Sequence, residues 1–373
     1  MNDLSIYFHI PFCLKKCNYC SFYSTIFIKE VKDKFINSLL KELNLNLDLL
    51  QNYNIKTIYF GGGTPSILEE KDFEKIFLFF RNKLNLKNLK EITIEVNPET
   101  VNYEKFRNLK DFGLNRISLG VESFLDRSLK FLGRVHNKEK IFESFDILRK
   151  LNYKNINLDL ILGIPKESLK EFLNNLKISV SLNPEHISIY SLEYYKDSKL
   201  YLDLINGKIN SWSKTKERDA YKKAKAFLEK NGYIQYEISN FSKPYFESLH
   251  NLNYWSGGEY IGFGPKAYSF IKGVYILNGN LQFYINSLSK DKYPYVKIIN
   301  LNKEKLKKIL FILSLRKIDG VSISEFEKRF GKLNIIDKLN EYKKLGFINF
   351  MKNRVLLTNK GIIVGNEIFS DLI

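Results

Sequence analysis

Three cysteines lie within eight residues near the N-terminus of this sequence, at Cys13, Cys17 and Cys20, and the chain has no others. A disulfide framework uses an even number of cysteines spread between elements, and a tetrahedral zinc site needs a fourth ligand. The C-x3-C-x2-C spacing instead suits three irons of a 4Fe–4S cluster, because soft sulfur ligands favour iron–sulfur sites. The fourth iron is then open to a small ligand. A chance cluster of thiols, or a zinc knuckle completed by distant histidines, is the alternative.

Further groups with chemical potential follow the predicted strands along the chain. The run Gly61-Gly62-Gly63 lets a ligand approach the backbone closely. Glu95 and Asp159 are acids that we expect at the buried mouth of a barrel, where an unpaired carboxylate is costly in free energy. A cationic or hydroxyl-rich ligand would relieve that cost, and a structural ion pair with an interior Arg or Lys is the alternative. Arg134 is a candidate to pair with a ligand carboxylate.

The elements that position these groups alternate between short apolar runs and helical stretches. The predicted strands are 4–10, 57–60, 91–96, 116–119, 156–162 and 186–192, and the helices between them are 30–50, 70–84, 100–111, 138–151 and 168–182. Successive β-α units with short connections favour parallel strands with helices packed outside. The candidate groups fall at or near the C-terminal ends of these strands, which is where the active sites of parallel α/β barrels lie. The sequence therefore predicts an incomplete (βα)6 barrel of the α/β class. A doubly wound open sheet is the alternative.

The rest of the chain divides into two further predicted segments. Residues 1–195 form the partial barrel with its cofactor site, and residues 196–300, with a helix near 213–231 and a strand near 233–240, complete its open side. Residues 301–373 combine helices, one of them over 335–345, with a two-strand wing over 347–357. This pattern predicts a C-terminal winged-helix-like domain, a module that often serves packing rather than nucleic-acid binding.

Composition limits the class of protein. The hydrophobic content is 44% and no low-complexity tract is present, so disorder is not expected. Net charge is 59 − 41 = +18, but the lysines are scattered, which favours solvated faces over a nucleic-acid site. No nucleic-acid partner is expected, although the charge would favour a transient membrane contact. With no N-terminal signal peptide visible and apolar runs too short to cross a bilayer, we expect a cytoplasmic protein.

Taken together, the motifs resemble the radical S-adenosylmethionine (SAM) proteins, in particular their oxygen-independent coproporphyrinogen III oxidase-like branch. The resemblance covers almost the whole chain and rests on residues 7–20, 61–66, 95–98, 120–123, 133–136 and 158–165. It implies that Cys13, Cys17 and Cys20 bind a 4Fe–4S cluster whose open iron chelates SAM, and that reductive cleavage of SAM yields a deoxyadenosyl radical. The SAM contacts that it implies are Tyr7, Tyr19, Gly62, Gly63, Thr64, Glu95, Glu122, Arg134 and Asp159. The family usually has Gln where this chain has Glu122, and a carboxylate accepts hydrogen bonds but cannot donate them.

Two features separate the groups within this branch. The oxidases carry a further cysteine two positions after the third ligand, where this chain has Phe22, and a longer segment before the position of Tyr7. The heme chaperones of the branch lack both features and carry an H-N-x-x-Y motif, which this chain shows as His250-Asn251-Leu252-Asn253-Tyr254. The chain therefore resembles the heme chaperones.

This resemblance implies a protein that binds heme and delivers it to acceptor hemoproteins, expected to be respiratory proteins, with the cluster and SAM supporting assembly or transfer. His250 is the candidate iron ligand, because imidazole is a common protein donor to heme. The H-N-x-x-Y motif could also be structural, with heme bound elsewhere. An oxygen-independent coproporphyrinogen III oxidase that decarboxylates propionates is the alternative function, against which Phe22 argues. A radical SAM enzyme with an unrelated substrate is a third.

Overall fold

The first half of the chain builds parallel strands, most of them followed by helices. A computed structural model describes residues 1–372. In chain order the elements of this half are β1 (Asn2–Ile10), β2 (Phe12–Cys13), β3 (Thr25–Ile26), α1 (Lys29–Leu45), α2 (Leu47–Gln51), β4 (Tyr53–Gly62), α3 (Glu70–Lys83), β5 (Glu91–Val96), α4 (Tyr103–Asp111), β6 (Arg116–Glu122), α5 (Asp126–Leu132), α6 (Lys138–Lys150), β7 (Ile156–Leu162), α7 (Leu169–Ser181) and β8 (His186–Ser191). Short 3-10 turns follow β4 and β5.

The second half extends the sheet and then forms a smaller unit. Its elements are α8 (Lys199–Ile205), α9 (Lys214–Lys230), β9 (Ile234–Glu237), β10 (Asn240–Ser242), α10 (Leu249–Trp255), β11 (Tyr260–Phe263), β12 (Tyr268–Ile271), β13 (Val274–Asn278), α11 (Leu281–Leu288), β14 (Tyr295–Asn300), α12 (Lys303–Ser314), β15 (Val321–Ser322), α13 (Ile323–Phe330), α14 (Ile336–Lys344), β16 (Ile348–Met351), β17 (Arg354–Leu357), α15 (Asn359–Ile363) and α16 (Gly365–Leu372). Within residues 1–372, no helix has both the length and the apolar character needed to cross a bilayer.

Twelve strands form one sheet in the order β14-β13-β12-β11-β1-β4-β5-β6-β7-β8-β10-β9. The strands β1 and β4 to β8 are parallel and adjacent in chain order. A doubly wound sheet reverses its strand order at a switch point, and these strands show no reversal. The predicted incomplete (βα)6 barrel is therefore confirmed.

The two edges of the parallel sheet are extended by segments from the second half. On one side β11 pairs in parallel with β1, and β12, β13 and β14 continue in antiparallel order. On the other side β10 and β9 add antiparallel to β8. The division of the chain at residues 195/196 and 300/301 into separate domains stays a prediction.

The strands are buried because helices cover the outside of the sheet. Every residue of β6 is buried, as expected for a parallel strand packed on both faces. The helix α3 buries Phe73, Phe77 and Phe80 against this core and exposes its charged residues other than Asp72. The apolar stripe of each helix thus fixes which face meets the sheet.

A second apolar core lies in the C-terminal unit. The strands order as β15-β17-β16, and the rings of Phe311 on α12 and Phe326 on α13 meet edge to face at 5.3 Å. Five helices, α12 to α16, surround this small antiparallel sheet, and the assignment of the unit as a separate winged-helix-like domain stays a prediction. The unit joins the barrel through backbone hydrogen bonds, one from Ile318 N to Tyr236 O at 3.0 Å.

A buried lysine ties α1 to the start of α3. The Lys32 side chain is fully buried, and its Nζ lies 2.9 Å from Asp72 and 3.1 Å from Glu69. Glu69 and Asp72 also form the capping box of α3. The lysine thus neutralises acids that satisfy the free N–H groups of the helix.

We expect Lys32→Met to lower the free energy of unfolding by about 3–5 kcal/mol, because it leaves the buried Asp72 carboxylate without its charge partner. Chemical denaturation of the cluster-free protein would measure this loss. Lys71 is the matched control: it is 58% exposed and also pairs with Glu69, so Lys71→Met should cost less than about 1 kcal/mol. Equal effects of the two substitutions would contradict this account.

Candidate functional site

The three cysteines lie on one loop between β1 and α1. The short parallel pair β2 and β3 closes the base of this loop, with Cys13 opposite Ile26, and the Cys20 amide donates to Cys17 O at 3.3 Å. All three thiols are free and half-buried. Within residues 1–372, no three His, Cys, Asp or Glu side chains are spaced to hold a metal ion. The fold places all three cysteines on this one loop.

The surroundings of the sulfurs fit an iron–sulfur cluster. Thr64 Oγ1 donates to Cys13 Sγ at 3.5 Å, and Arg134 Nη1 donates to Cys17 Sγ at 3.7 Å. Such outer-shell donors stabilise thiolate ligands. A Cβ on Gly63 would lie 3.0 Å from Cys13 Sγ and 2.7 Å from Phe12 O, so only glycine fits beside this sulfur. Three soft ligands with these donors suit a 4Fe–4S cluster that keeps one iron open.

Burial works against free thiolates at this loop. It raises the pKa of Cys13 above its ordinary value and raises the pKa of Cys20 to about 11. Coordination to a metal deprotonates a thiol. Binding of iron to these sulfurs would therefore supply the positive charge that stabilises the thiolates in this buried loop.

The glycine loop, residues 61–63, spans the end of β4 and packs against Glu95 near the end of β5. Gly62 has φ +112°, a conformation that favours glycine, and its amide donates to Glu95 Oε2 at 3.1 Å. Tyr59 donates its hydroxyl to Glu95 Oε1 at 2.9 Å. A Cβ on Gly61 would come within 3.0 Å of the same carboxylate. The loop is thus held against an acid at the barrel mouth.

Three acids share this mouth. Glu122 is buried, and Glu95 and Asp159 are half-buried. Removal from water is the main cause that raises the pKa of Glu95 and Glu122 to about 7, and it also raises the pKa of Asp159. Asp159 accepts from Ser118 Oγ and Asn157 Nδ2, both at 2.8 Å. A cationic or hydroxyl-rich ligand would stabilise the ionised acids.

Glu122 has an unusual backbone. Its φ is +62°, and a non-glycine residue in this region carries strain that is common at functional sites. Its carboxylate lies 3.7 Å from Arg134 Nη1. Arg134 also donates to Gly120 O at 2.9 Å and to Asn97 Oδ1 at 2.7 Å. The guanidinium therefore joins the acids of the mouth to the cysteine loop.

The two tyrosines implied by the resemblance each lie near an acid of the mouth, Tyr7 near Glu95 and Tyr19 near Glu122. The Tyr7 hydroxyl is 3.2 Å from His9 Nδ1, and its ring centroid is 6.1 Å from that of Tyr59. Tyr19 is half-buried on the cysteine loop and hydrogen-bonds to Glu122. Both flank the acids rather than lying apart from them.

His250 lies in the barrel interior, in the first turn of α10. The helix start is anchored by Glu91, which accepts from the amides of Leu249 and His250 at 2.8 and 3.2 Å. The His250 ring is buried, with Nδ1 2.7 Å from Thr57 Oγ1 and Nε2 2.9 Å from the Tyr254 hydroxyl. Burial lowers its pKa to about 3, so the ring is neutral.

The same ring stacks on Tyr59 with centroids 4.9 Å apart. Since both ring nitrogens are hydrogen-bonded, iron ligation would require one of these bonds to break. The role of His250 as a heme ligand stays a prediction.

Sequence reasoning missed two residues of the mouth. Asn97 accepts from Arg134 and donates to Thr64 Oγ1 at 3.1 Å, and its place beside Glu95 in the same motif was the available signal. Tyr59, on the neighbouring strand, donates its hydroxyl to Glu95. Because Tyr59 lies two residues before Gly61, its side chain is on the same face of the strand, and this spacing was the signal that could have identified it. The structure thus gathers the predicted cysteines, glycines, acids and arginine at one end of the barrel, with His250 beneath them.

The comparisons with known proteins agree with this arrangement. A model of the radical SAM superfamily matches residues 7–178. The chain is 34% identical over 98% of its length to the heme chaperone HemW of Bacillus subtilis, covering 98% of that protein. It is 33% identical to HemW of Lactococcus lactis over 98% of this chain and 96% of that one, and 37% identical to HemW of Escherichia coli over 71% and 69%.

Among solved structures, the coproporphyrinogen III oxidase HemN of Escherichia coli, a radical SAM enzyme, superimposes with a TM-score of 0.83 at 24% identity, over 100% of this chain and 90% of that one. This similarity shows a shared fold. A 4Fe–4S cluster and SAM are the cofactors of the radical SAM superfamily, which confirms the cluster that the cysteine spacing predicted and the SAM that the resemblance implied. The chain belongs to the HemW family of heme chaperones, within the radical SAM superfamily.

Proposed function

We propose that this protein binds heme and delivers it to acceptor hemoproteins, with a 4Fe–4S cluster and SAM supporting assembly or transfer. The observation that carries the proposal is the similarity to heme chaperones along the whole chain, 34% identity over 98% of its length in one case. Phe22 also supports the proposal, because it stands at the position where the oxidases of this branch have a further cysteine. Its side chain is 65% exposed.

In this proposal the cysteine loop holds the cluster and the barrel mouth holds SAM. Cys13, Cys17 and Cys20 are the iron ligands. The SAM contacts are Tyr7, Tyr19, Gly62, Gly63, Thr64, Glu95, Glu122, Arg134 and Asp159. Bound there, the cluster and SAM together would supply one-electron chemistry, while the chain's own acids and backbone amides would orient SAM and neutralise its charge.

The acceptors that we propose are heme-requiring respiratory proteins, and the proposed location is the cytoplasm with a transient contact at the membrane surface. The net charge of +18 supports such a contact, because anionic lipids attract surface lysines over a short, salt-dependent range.

We expect SAM binding to weaken as the pH falls. The pKa of Glu95 and of Glu122 is raised to about 7, so each acid loses its charge below that pH, whereas SAM keeps its sulfonium charge. A group of this pKa is about nine-tenths ionised at pH 8 and about one-tenth at pH 6, which predicts a loss in affinity of about tenfold. Calorimetric titration of the cluster-reconstituted protein would measure it.

The control for this prediction is Glu95→Gln, which should bind SAM more weakly at high pH and show a smaller pH dependence. Glu104→Gln, at an exposed site on α4, should behave as the unsubstituted protein. An affinity for SAM that does not change with pH would remove the acids from the proposed contact.

Heme binding is the direct test of the proposed function. An anaerobic titration of the reconstituted protein, followed by Soret absorption, should saturate at about one heme per chain. His250→Ala should weaken binding. His250→Gln keeps a hydrogen-bonding side chain without the imidazole, so a changed Soret band in this variant would support iron ligation, and an unchanged band would assign His250 to holding Tyr254.

Absence of saturable heme binding, together with catalytic formation of protoporphyrinogen from coproporphyrinogen, would favour the oxidase alternative. The shared fold with that enzyme makes this assay the necessary comparison.

We expect the protein to co-sediment with vesicles that contain anionic lipid and not with neutral ones. The interaction should disappear at high salt, since screening removes the attraction between lysines and headgroups. Equal sedimentation with both vesicle types would argue against an electrostatic contact.

A further inference from the structure

A cavity of about 440 Å³ lies away from the barrel mouth, where the end of α10 and the strands β11 to β13 meet α12 of the C-terminal unit. It is lined by five aromatic and three aliphatic side chains and by two glycines. Its volume falls within the range of about 300–1,000 Å³ that is typical of sites for small molecules and cofactors.

One wall of the cavity is a continuous series of aromatic rings. The centroids of Tyr254 and Tyr260 are 4.6 Å apart, those of Tyr260 and Phe270 are 6.3 Å apart, and those of Phe270 and Tyr275 are 4.6 Å apart. A surface of this kind offers a large apolar area with little conformational freedom. It suits a flat, conjugated ligand better than a flexible chain.

The opposite wall comes from α12. Ile309 and Leu313 lie one turn apart and are half-buried, and Leu310 between them is buried. Gly257, which also lines the cavity, has φ +62°, and a Cβ there would lie 3.0 Å from Leu310 Cδ2. Glycine at this position therefore lets the end of α10 pack closely against α12.

Two arginines lie next to the lining residues. The Arg316 guanidinium carbon is 4.5 Å from the Trp255 ring centroid, and the charge of Glu237 is also close to Arg316. Arg329, which is exposed, donates to Ser256 O at 2.8 Å and to Gly257 O at 3.2 Å. The cavity thus combines an apolar interior with cations beside it, which matches a flat apolar ligand that carries carboxylates.

We propose that this cavity is the heme site of the protein, with the macrocycle between the aromatic wall and α12 and the propionates directed toward Arg316 and Arg329. The inference rests on the proposed function and adds a location to it. It also gives the H-N-x-x-Y motif a place in that function, because its tyrosine, Tyr254, forms part of the wall and bonds to His250.

The test is a heme titration of the cluster-reconstituted full chain with a cavity-filling substitution. Ile309→Trp places an indole in the cavity and should weaken heme binding by about tenfold or more. The matched control is Ile336→Trp, which makes the same change at a residue of the C-terminal unit that is 43% exposed and outside the cavity. Its affinity for heme should equal that of the unsubstituted protein.

A second variant covers the case in which Ile309→Trp fails to fold, as judged by circular dichroism. Arg329→Met changes an exposed side chain and should weaken heme binding roughly two- to fivefold through loss of the propionate contact. The same affinity as the unsubstituted protein in both variants would overturn the location alone. No saturable heme binding by the unsubstituted protein would overturn the proposed function together with this site.

Discussion

The pairing of β1 with β4 is the constraint on which the rest of the site depends. The two strands are parallel over the whole length of β1, and the ladder continues past their ends, where Gly63 N donates to Ile10 O at 2.8 Å. This keeps the cysteine loop and the glycine loop side by side. A slip of one residue in this pairing would turn every side chain of one strand to the opposite face, which would separate Tyr7 from Tyr59, its partner across the two strands.

The sequence predicts best those strands that are buried on both faces of the sheet. The strands over 91–96 and 156–162 were predicted with their observed bounds, because fully buried parallel strands are near-continuous apolar runs. The strand predicted over 57–60 is longer in the structure and covers 53–62. Its first residues alternate between apolar and polar side chains, which hid them from a search for apolar runs, but they pair with β1. The strands β11 to β14 were not predicted. They are short, rich in tyrosine and stabilised by long-range pairing, which local pattern does not encode.

The same limit applies to the site. Cysteine spacing, consecutive glycines and acids at strand ends are local signals, and the structure gathers all of them at one mouth. The environment of His250 is different, because Thr57 and Tyr59 reach it only through tertiary packing, while Tyr254 lies one turn further along the same helix. The cavity beside α12 is likewise made by tertiary packing, here of elements within residues 254–313. Local pattern could identify the residue types there but not their neighbours.

The arrangement of the thiols on one loop separates cofactor loading from chain folding. The three cysteines span eight residues, so the cluster closes a short loop and joins no distant elements. The main apolar core runs through the sheet and its covering helices instead. In a zinc finger, by contrast, metal binding provides the free energy of folding itself. Here the apolar core supplies the folding free energy without the cluster, so the polypeptide can fold first and receive its cluster afterwards.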